Sequence, residues 1–285
     1  MRAVLLAAAV ALMSVPAWGQ ARPPAAIFTD PPADAAHPAR MDVLHIPSGG
    51  GQLNAIAYVA SGAGPHPAVV LFHGLPGNEK NLDLAQAMRR AGWTVVAPNY
   101  RGSWGSPGTF SFRGNLDDAK AVLAYVRTNA AKLGVDTRRI VVMGHSMGGW
   151  VTSQTGGGDP DVAGAVLISA ADMGRDAAAT DTRRLEIARE NMEALAGVTA
   201  QSMAAEMKTL GPYSFAAAAA GLAKHPLLVL TSDDGLAPAA NALVMDVKQR
   251  GGKVRVVHIA TDHGYNSARI RLESEVLDWL AGLPK

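Results

Sequence analysis

Gly144-His145-Ser146-Met147-Gly148 decides the reading of this chain. The pentapeptide follows the apolar run Ile140-Val141-Val142-Met143 and precedes the small-residue helix pattern Gly149-Trp150-Val151-Thr152-Ser153. A G-x-S-x-G at a strand-to-helix switch lifts a serine hydroxyl onto a sharp turn, where it can attack a carbonyl. Chance alone would supply the motif in roughly one chain in seven of this composition, so its meaning rests on context.

The surrounding sequence supplies that context. Ala68-Val69-Val70-Leu71-Phe72, Thr94–Ala97, Arg139–Met143, Val162–Ser169 and Leu227–Leu230 are near-continuous apolar runs, as expected of strands buried on both faces of a parallel sheet. Helix patterns fall between them, over about 81–91, 115–132 and 238–249, and a closing helix is expected over 266–280. Ahead of these, Asp42–Ile46 and Leu53–Val59 alternate in polarity around Ser48-Gly49-Gly50-Gly51, which reads as a hairpin. The fold class is therefore α/β: a mostly parallel sheet flanked by helices, with one antiparallel edge. Residues 172–224 interrupt the rhythm with helical patterns (Leu185, Ala188, Met192 and Leu195; then Met203, Met207 and Leu210, with Thr199 as N-cap) and are read as a small helical cap. Ordinary crossover helices are the competing reading. Gly156-Gly157-Gly158 reads as a helix-ending loop.

A serine hydroxyl needs a base, and the base needs a carboxylate to orient it. On this topology the acid follows the nucleophile and the base follows the acid, each in a loop past a strand. Asp233 and Asp234 follow the strand 227–230, and Asp234, heading Asp234-Gly235-Leu236-Ala237-Pro238, is favoured. Only His258 and His263 come later. His258 lies inside the strand pattern Val254–Ile259. His263 lies in the loop after it, where catalytic side chains are carried, and is favoured. The oxyanion of a tetrahedral intermediate needs preorganised donors. The N–H of Met147 is one. Leu75 in His73-Gly74-Leu75-Pro76 offers the other, since proline has no N–H. His73 and His145 are read as structural.

The start of the chain, Met1-Arg2, an apolar stretch over Ala3–Val15 and Ala17-Trp18-Gly19, reads as a signal peptide of residues 1–19. Cleavage is expected before Gln20, or else after Ala21. The apolar stretch falls short of the roughly 18 residues of a membrane span, so a retained anchor is disfavoured. No stable membrane insertion is expected after cleavage. Residues 20–40 are rich in proline and alanine and read as a flexible leader. The hydrolytic domain is expected over 41–285. The chain has no cysteine, so an exported form, periplasmic or secreted, folds without disulfides. There are 26 basic and 24 acidic residues and no basic run, so nucleic acid is not an expected partner. No metal-ligand motif or nucleotide loop appears in a suitable context, so no cofactor and no metal are expected.

The ordered set His73-Gly74, Gly144-x-Ser146-x-Gly148-Gly149, Asp234-x-x-x-Pro238 and His263-x-Tyr265 resembles the α/β-hydrolase superfamily over about residues 42–283. Asn99-Tyr100-Arg101-Gly102-Ser103-Trp104-Gly105 is similar to the N-Y-R-G-S-x-G stretch of its prolyl-oligopeptidase-like branch, which includes dipeptidyl aminopeptidases and acylaminoacyl peptidases. The resemblance implies an α/β-hydrolase fold with Ser146 as nucleophile, Asp234 as acid, His263 as base, and Leu75 and Met147 as oxyanion donors. The β-propeller of those peptidases is not expected, because only about 20 residues separate the expected cleavage site from the first strand. The function expected is therefore hydrolysis of a small acyl ester through an acyl-enzyme. A peptidase on short peptides, a catalytically inactive binding protein of the same fold, and haloperoxidase or C–C hydrolase chemistry on the same triad are the alternatives.

Overall fold

The apolar runs are unbroken because each strand serves two cores. Successive side chains of a strand point to opposite faces. Val69, Leu71, Val141, Met143, Val166, Ile168, Leu228 and Leu230 enter one buried cluster. Ala68, Val70, Phe72, Ile140, Val142, Ala165, Leu167, Leu227 and Val229 enter the other. A computed structural model describes residues 22–284; the expected signal segment, 1–19, lies outside the described residues.

Eight strands form one sheet. The hairpin β1 (Arg40–Ser48) and β2 (Gly51–Val59) pairs antiparallel, with Ser48 opposite Gly51. Then come β3 (His66–Phe72), α1 (Leu82–Arg90), β4 (Thr94–Pro98), α2 (Phe112–Thr128), the short α3 (Ala130–Leu133), β5 (Val135–His145), α4 (Met147–Gly158) and β6 (Gly164–Ile168). The second half holds α5 (Met173–Asp176), α6 (Asp181–Asn191), α7 (Ala200–Met207), α8 (Phe215–Leu222), β7 (Leu227–Thr231), α9 (Ala237–Gln249), β8 (Val254–His258) and α10 (Arg269–Ala281). The strand order is β1-β2-β4-β3-β5-β6-β7-β8. β2 runs antiparallel to β1 and β4, and every pairing from β4 to β8 is parallel. Helices α2, α4, α8 and α9 cover one face and α1 and α10 the other. β5 lies in the middle, so its carboxyl end opens at the centre of one sheet edge, where open α/β sheets bind ligands.

Three local readings change. Gly156–Gly158 form the last turn of α4, not a loop. Their lack of side chains lets α8 cross at backbone distance: a Cβ on Gly221 would run into the Gly157 carbonyl, and one on Gly157 would lie 2.8 Å from the Ala218 carbonyl. The leader is not free along its length. Residues Ala25–Ile27 form a 3-10 turn, Ile27 is buried, and the Arg90 guanidinium donates to the Ala26 and Ile27 carbonyls. The face expected to run from Leu185 to Leu195 is cut short, because α6 stops at Asn191 and Leu195 instead bridges Ser103.

The helical segment between β6 and β7 is two things. α8 is a crossover helix packed on α4 and α9. The preceding part, 173–213, stands off the sheet and docks on the loop after β4: Ala196 N–H donates to the Gly102 carbonyl at 2.7 Å, and Phe110 N–H to the Ala196 carbonyl at 3.0 Å. Thr199 and Ser202 form a capping box on α7, and Met203, Met207 and Leu210 are buried. One carboxylate closes the root of this insertion. Asp172 accepts from Gly174 N–H and Arg175 N–H where the chain leaves, and from Phe215 N–H, at 3.2 Å, where it returns.

Candidate active site

β5 ends at His145 and the chain reverses at Ser146, with φ 57° and ψ −123°. Few non-glycine residues hold a positive φ, and those that do need neighbours that fix them. Ser146 N–H donates to the Ile168 carbonyl at 3.0 Å, and its carbonyl accepts from Gly149 N–H at 2.9 Å and Ala171 N–H at 3.0 Å. The turn is tight enough to forbid side chains on either flank. A Cβ on Gly144 would run into the Gly148 carbonyl, and one on Gly148 into the Phe72 carbonyl.

The loop after β3 passes beside this turn; a Cβ on Gly74 would lie 2.9 Å from Ser146 Cβ. The N–H groups of Leu75 and Met147, both expected as oxyanion donors, have no protein acceptor among the described residues. Met147 N–H also begins α4, where the helix dipole favours negative charge. His73 is buried, and its Nδ1–H donates to the Gly74 carbonyl at 2.8 Å. That carbonyl belongs to the same peptide unit as the Leu75 N–H, so His73 sets the plane of the donor.

The base and acid meet past β7 and β8. His263 Nδ1 lies 2.7 Å from Asp234 Oδ2, so Nδ1 carries the proton and Nε2 keeps its lone pair. Burial opposes ionisation of Asp234. The His263 imidazole, the Leu236 N–H and the Ser169 and Ser232 hydroxyls outweigh it and hold the carboxyl well below the usual carboxylate range. His263 is held through Nδ1 by Asp234 and through its carbonyl by His145, which leaves Nε2 as the nitrogen available to a hydroxyl; hydrogen bonds between a nucleophile and its base commonly tighten in the substrate complex. The rival residues pair with each other elsewhere. Asp233 Oδ1 lies 3.1 Å from His258 Nε2, and both side chains are exposed. Among the described residues no group of three or more His, Cys, Asp or Glu could hold a metal ion.

His145, read as structural, has a structural partner, while Ser169 and Ser232 carried no sequence signal. His145 Nε2–H donates to the His263 carbonyl at 2.8 Å, across 118 positions, and the two rings lie 4.5 Å apart. Beneath Asp234, Ser169 Oγ lies 2.8 Å from Ser232 Oγ and 3.0 Å from the Tyr265 hydroxyl, all three side chains being buried. Serines ending two buried strands look like ordinary strand ends in the sequence.

Burial pushes the His73 and His145 imidazoles down to about 4. In the unfolded chain an imidazole takes up its proton near pH 6.5, roughly its model value. Between those values the unfolded state binds more protons, so stability falls as pH drops from about 6.5 to about 4. Each site can contribute up to about 3 kcal/mol. Asp176, which burial and neighbouring Asp172 push up to about 6, acts with the opposite sign, so the test compares variants. His145→Gln keeps a donor for the His263 carbonyl and removes the titration. Relative to this variant, the wild type should lose up to about 3 kcal/mol of urea-unfolding stability between pH 7.5 and 4.5. A pH-independent difference would show that His145 does not stay neutral in the fold.

A model of the alpha/beta hydrolase family matches residues 69–273. An uncharacterized protein of Mycobacterium tuberculosis (strain ATCC 25618 / H37Rv) is 31% identical over 119 residues, a match spanning 41% of this chain and 41% of that relative. An esterase of the archaeon Pyrobaculum calidifontis has a similar structure, with a TM-score of 0.65 and 24% identity over 86% of this chain and 87% of its own. Acylaminoacyl peptidase of Pyrococcus horikoshii gives a TM-score of 0.65 at 16% identity, over 85% of this chain and 41% of its own. At these identities the structural likeness establishes the fold.

Proposed function

The chain belongs to the alpha/beta hydrolase family, and from that premise we propose that it is an exported serine hydrolase cleaving carboxylic esters through an acyl-enzyme. One observation carries the reading: Ser146 at positive φ, beside the Leu75 and Met147 N–H groups that have no protein acceptor among the described residues, stands at the same sheet edge as the His263–Asp234 pair. The esterase of similar fold supports ester substrates. Export rests on the apolar segment Ala3–Val15 and the small residues after it.

In this reading Ser146 Oγ attacks the ester carbonyl as its proton passes to His263 Nε2. The negative charge moves to the carbonyl oxygen, where Leu75 N–H and Met147 N–H receive it; one such donor lowers the barrier by about 3 kcal/mol. Asp234 stabilises the imidazolium, which then gives its proton to the departing alkoxide. Water, deprotonated by His263, attacks the acyl-enzyme and frees Ser146. Peptide hydrolysis is the second reading, favoured by the Asn99–Gly105 stretch and by the fold shared with acylaminoacyl peptidase.

The test has two parts. A fluorophosphonate probe should label the intact protein on Ser146, and the labelled protein should lose activity. A panel of p-nitrophenyl acyl esters beside aminoacyl and dipeptidyl amides should then show turnover of the esters. Absence of labelling would remove the serine-hydrolase reading. Preferred release of amino acids from the amides would replace the esterase by the peptidase.

A further inference from the structure

Trp104 occupies the variable position of the Gly-Ser-x-Gly stretch after β4, and the residue is 38% exposed. Its φ of 47° is unusual for a bulky side chain, so its surroundings must hold it there. Asn99 Nδ2–H donates to the Trp104 carbonyl at 3.1 Å. The Lys80 ammonium lies 4.4 Å from the indole ring centroid, close enough for a cation–π attraction, and donates to Asn99 Oδ1 at 2.9 Å. The segment is stapled to β2: Asn99 N–H donates to the Asn54 carbonyl at 2.9 Å, and Asn54 Nδ2–H to the Gly105 carbonyl at 2.6 Å. The indole is thus fixed from the ring face, the backbone and the sheet.

What it holds is the loop beside Ser146. Trp104 Nε1–H donates to the Pro76 carbonyl at 2.6 Å. On the other side of Leu75, His73 Nδ1–H holds the Gly74 carbonyl. The two carbonyls that bracket Leu75 are therefore each tied to a ring, and the proline between them has a fixed φ. Gly77 makes this possible, because a Cβ there would meet both His73 Nδ1 and Trp104 Nε1. A donor held this way needs no reorganisation when charge develops on the substrate oxygen.

We propose that Trp104, braced by Lys80 and Asn99, is a positioning residue for the oxyanion-binding loop, its indole N–H fixing the Pro76 carbonyl and so the direction of the Leu75 N–H. The proposal rests on the serine-hydrolase reading of the site. It acts on the transition state and not on the ground-state ester, which separates it from a substrate contact.

The test uses Trp104→Phe, which keeps an aromatic ring under Lys80 and removes only the N–H, and Lys80→Met, which keeps the stem and removes the charge. For a p-nitrophenyl ester turned over by the wild type, Trp104→Phe should lower kcat about tenfold with KM within about twofold. The inhibition constant of a trifluoromethyl ketone, whose serine adduct carries the oxyanion, should rise by about the same factor. Lys80→Met should move both in the same direction by a smaller factor, and it decides the matter if Trp104→Phe does not fold. Unchanged kcat and ketone affinity in the folded variants would overturn the proposal. A raised KM at constant kcat would also overturn it, making Trp104 a substrate contact. Failure of the underlying reading shows separately, as absence of fluorophosphonate labelling on Ser146 in protein with Trp104 intact.

Discussion

Replacing Ser146 with alanine is expected to lower ester turnover by roughly ten-thousandfold or more while leaving the fold in place. The backbone of the turn is held by bonds that the substitution does not touch: Ser146 N–H to Ile168, and the Ser146 carbonyl to Gly149 and Ala171. Alanine keeps the Cβ that Gly74 already accommodates. None of these bonds uses the hydroxyl, so its removal leaves the backbone of the turn paired as before. Ser146→Ala should therefore melt within a few degrees of wild type, and the residual rate should be what the oxyanion donors give to direct attack by water. Steady-state assay beside a thermal melt checks both halves. A variant keeping a tenth of the wild-type rate would remove Ser146 from the chemistry.

The second large effect is at Asp234. Its side chain is only 5% exposed, and its work is to accept the His263 Nδ1–H. Asparagine would offer an amide group that can present its own N–H there, favouring the tautomer with Nδ1 bare and Nε2 protonated. That form cannot take the Ser146 proton, and the cost is about ten-thousandfold in kcat. Asp233→Asn should leave kcat within about twofold, because Asp233 faces solvent and pairs with the exposed His258. The reverse ranking, read from kcat of the two variants, would reassign the acid. The depressed ionisation of Asp234 has a sign for stability as well. The folded state keeps this carboxylate charged at pH values where the unfolded chain protonates it. Its stabilisation is present above the ordinary carboxylate range and is lost as pH falls through the lower folded value.

The architecture could be read locally because it depends on local period. An apolar run four or five residues long, such as Val69–Phe72 or Ala165–Ile168, announces a strand with both faces buried before anything is known of its neighbours. The pairing of Asp234 with His263 could be anticipated because the fold delivers loops to one sheet edge in chain order, and the two side chains lie within hydrogen-bond distance. What could not be read depends on approach in space. Gly157 continues a helix because Gly221, 64 positions on, crosses over it. His145 steadies His263 through a carbonyl that no side-chain motif records. Ser169 and Ser232 support Asp234 only once their strands lie side by side. Trp104 is a loop aromatic until the Pro76 carbonyl is brought to its N–H.

The way Asp172 closes the insertion has an evolutionary consequence. The segment leaves the sheet edge at Met173 and returns at Phe215, and both ends are bonded to that one carboxylate. The insertion is thus a pendant with a sealed neck. Doubling the length of a closed loop costs only about 0.6 kcal/mol of chain entropy, so the exposed turns of the insertion can lengthen at little expense, whereas Ala196, bonded to Gly102 and Phe110, and the buried Met203, Met207 and Leu210 hold the segment in place. Ser146 is anchored to β6, Asp234 to His263 and His263 to His145, and none of those anchors runs through the pendant. Lineages sharing this fold can therefore rewrite the exposed turns of one segment without disturbing those anchors.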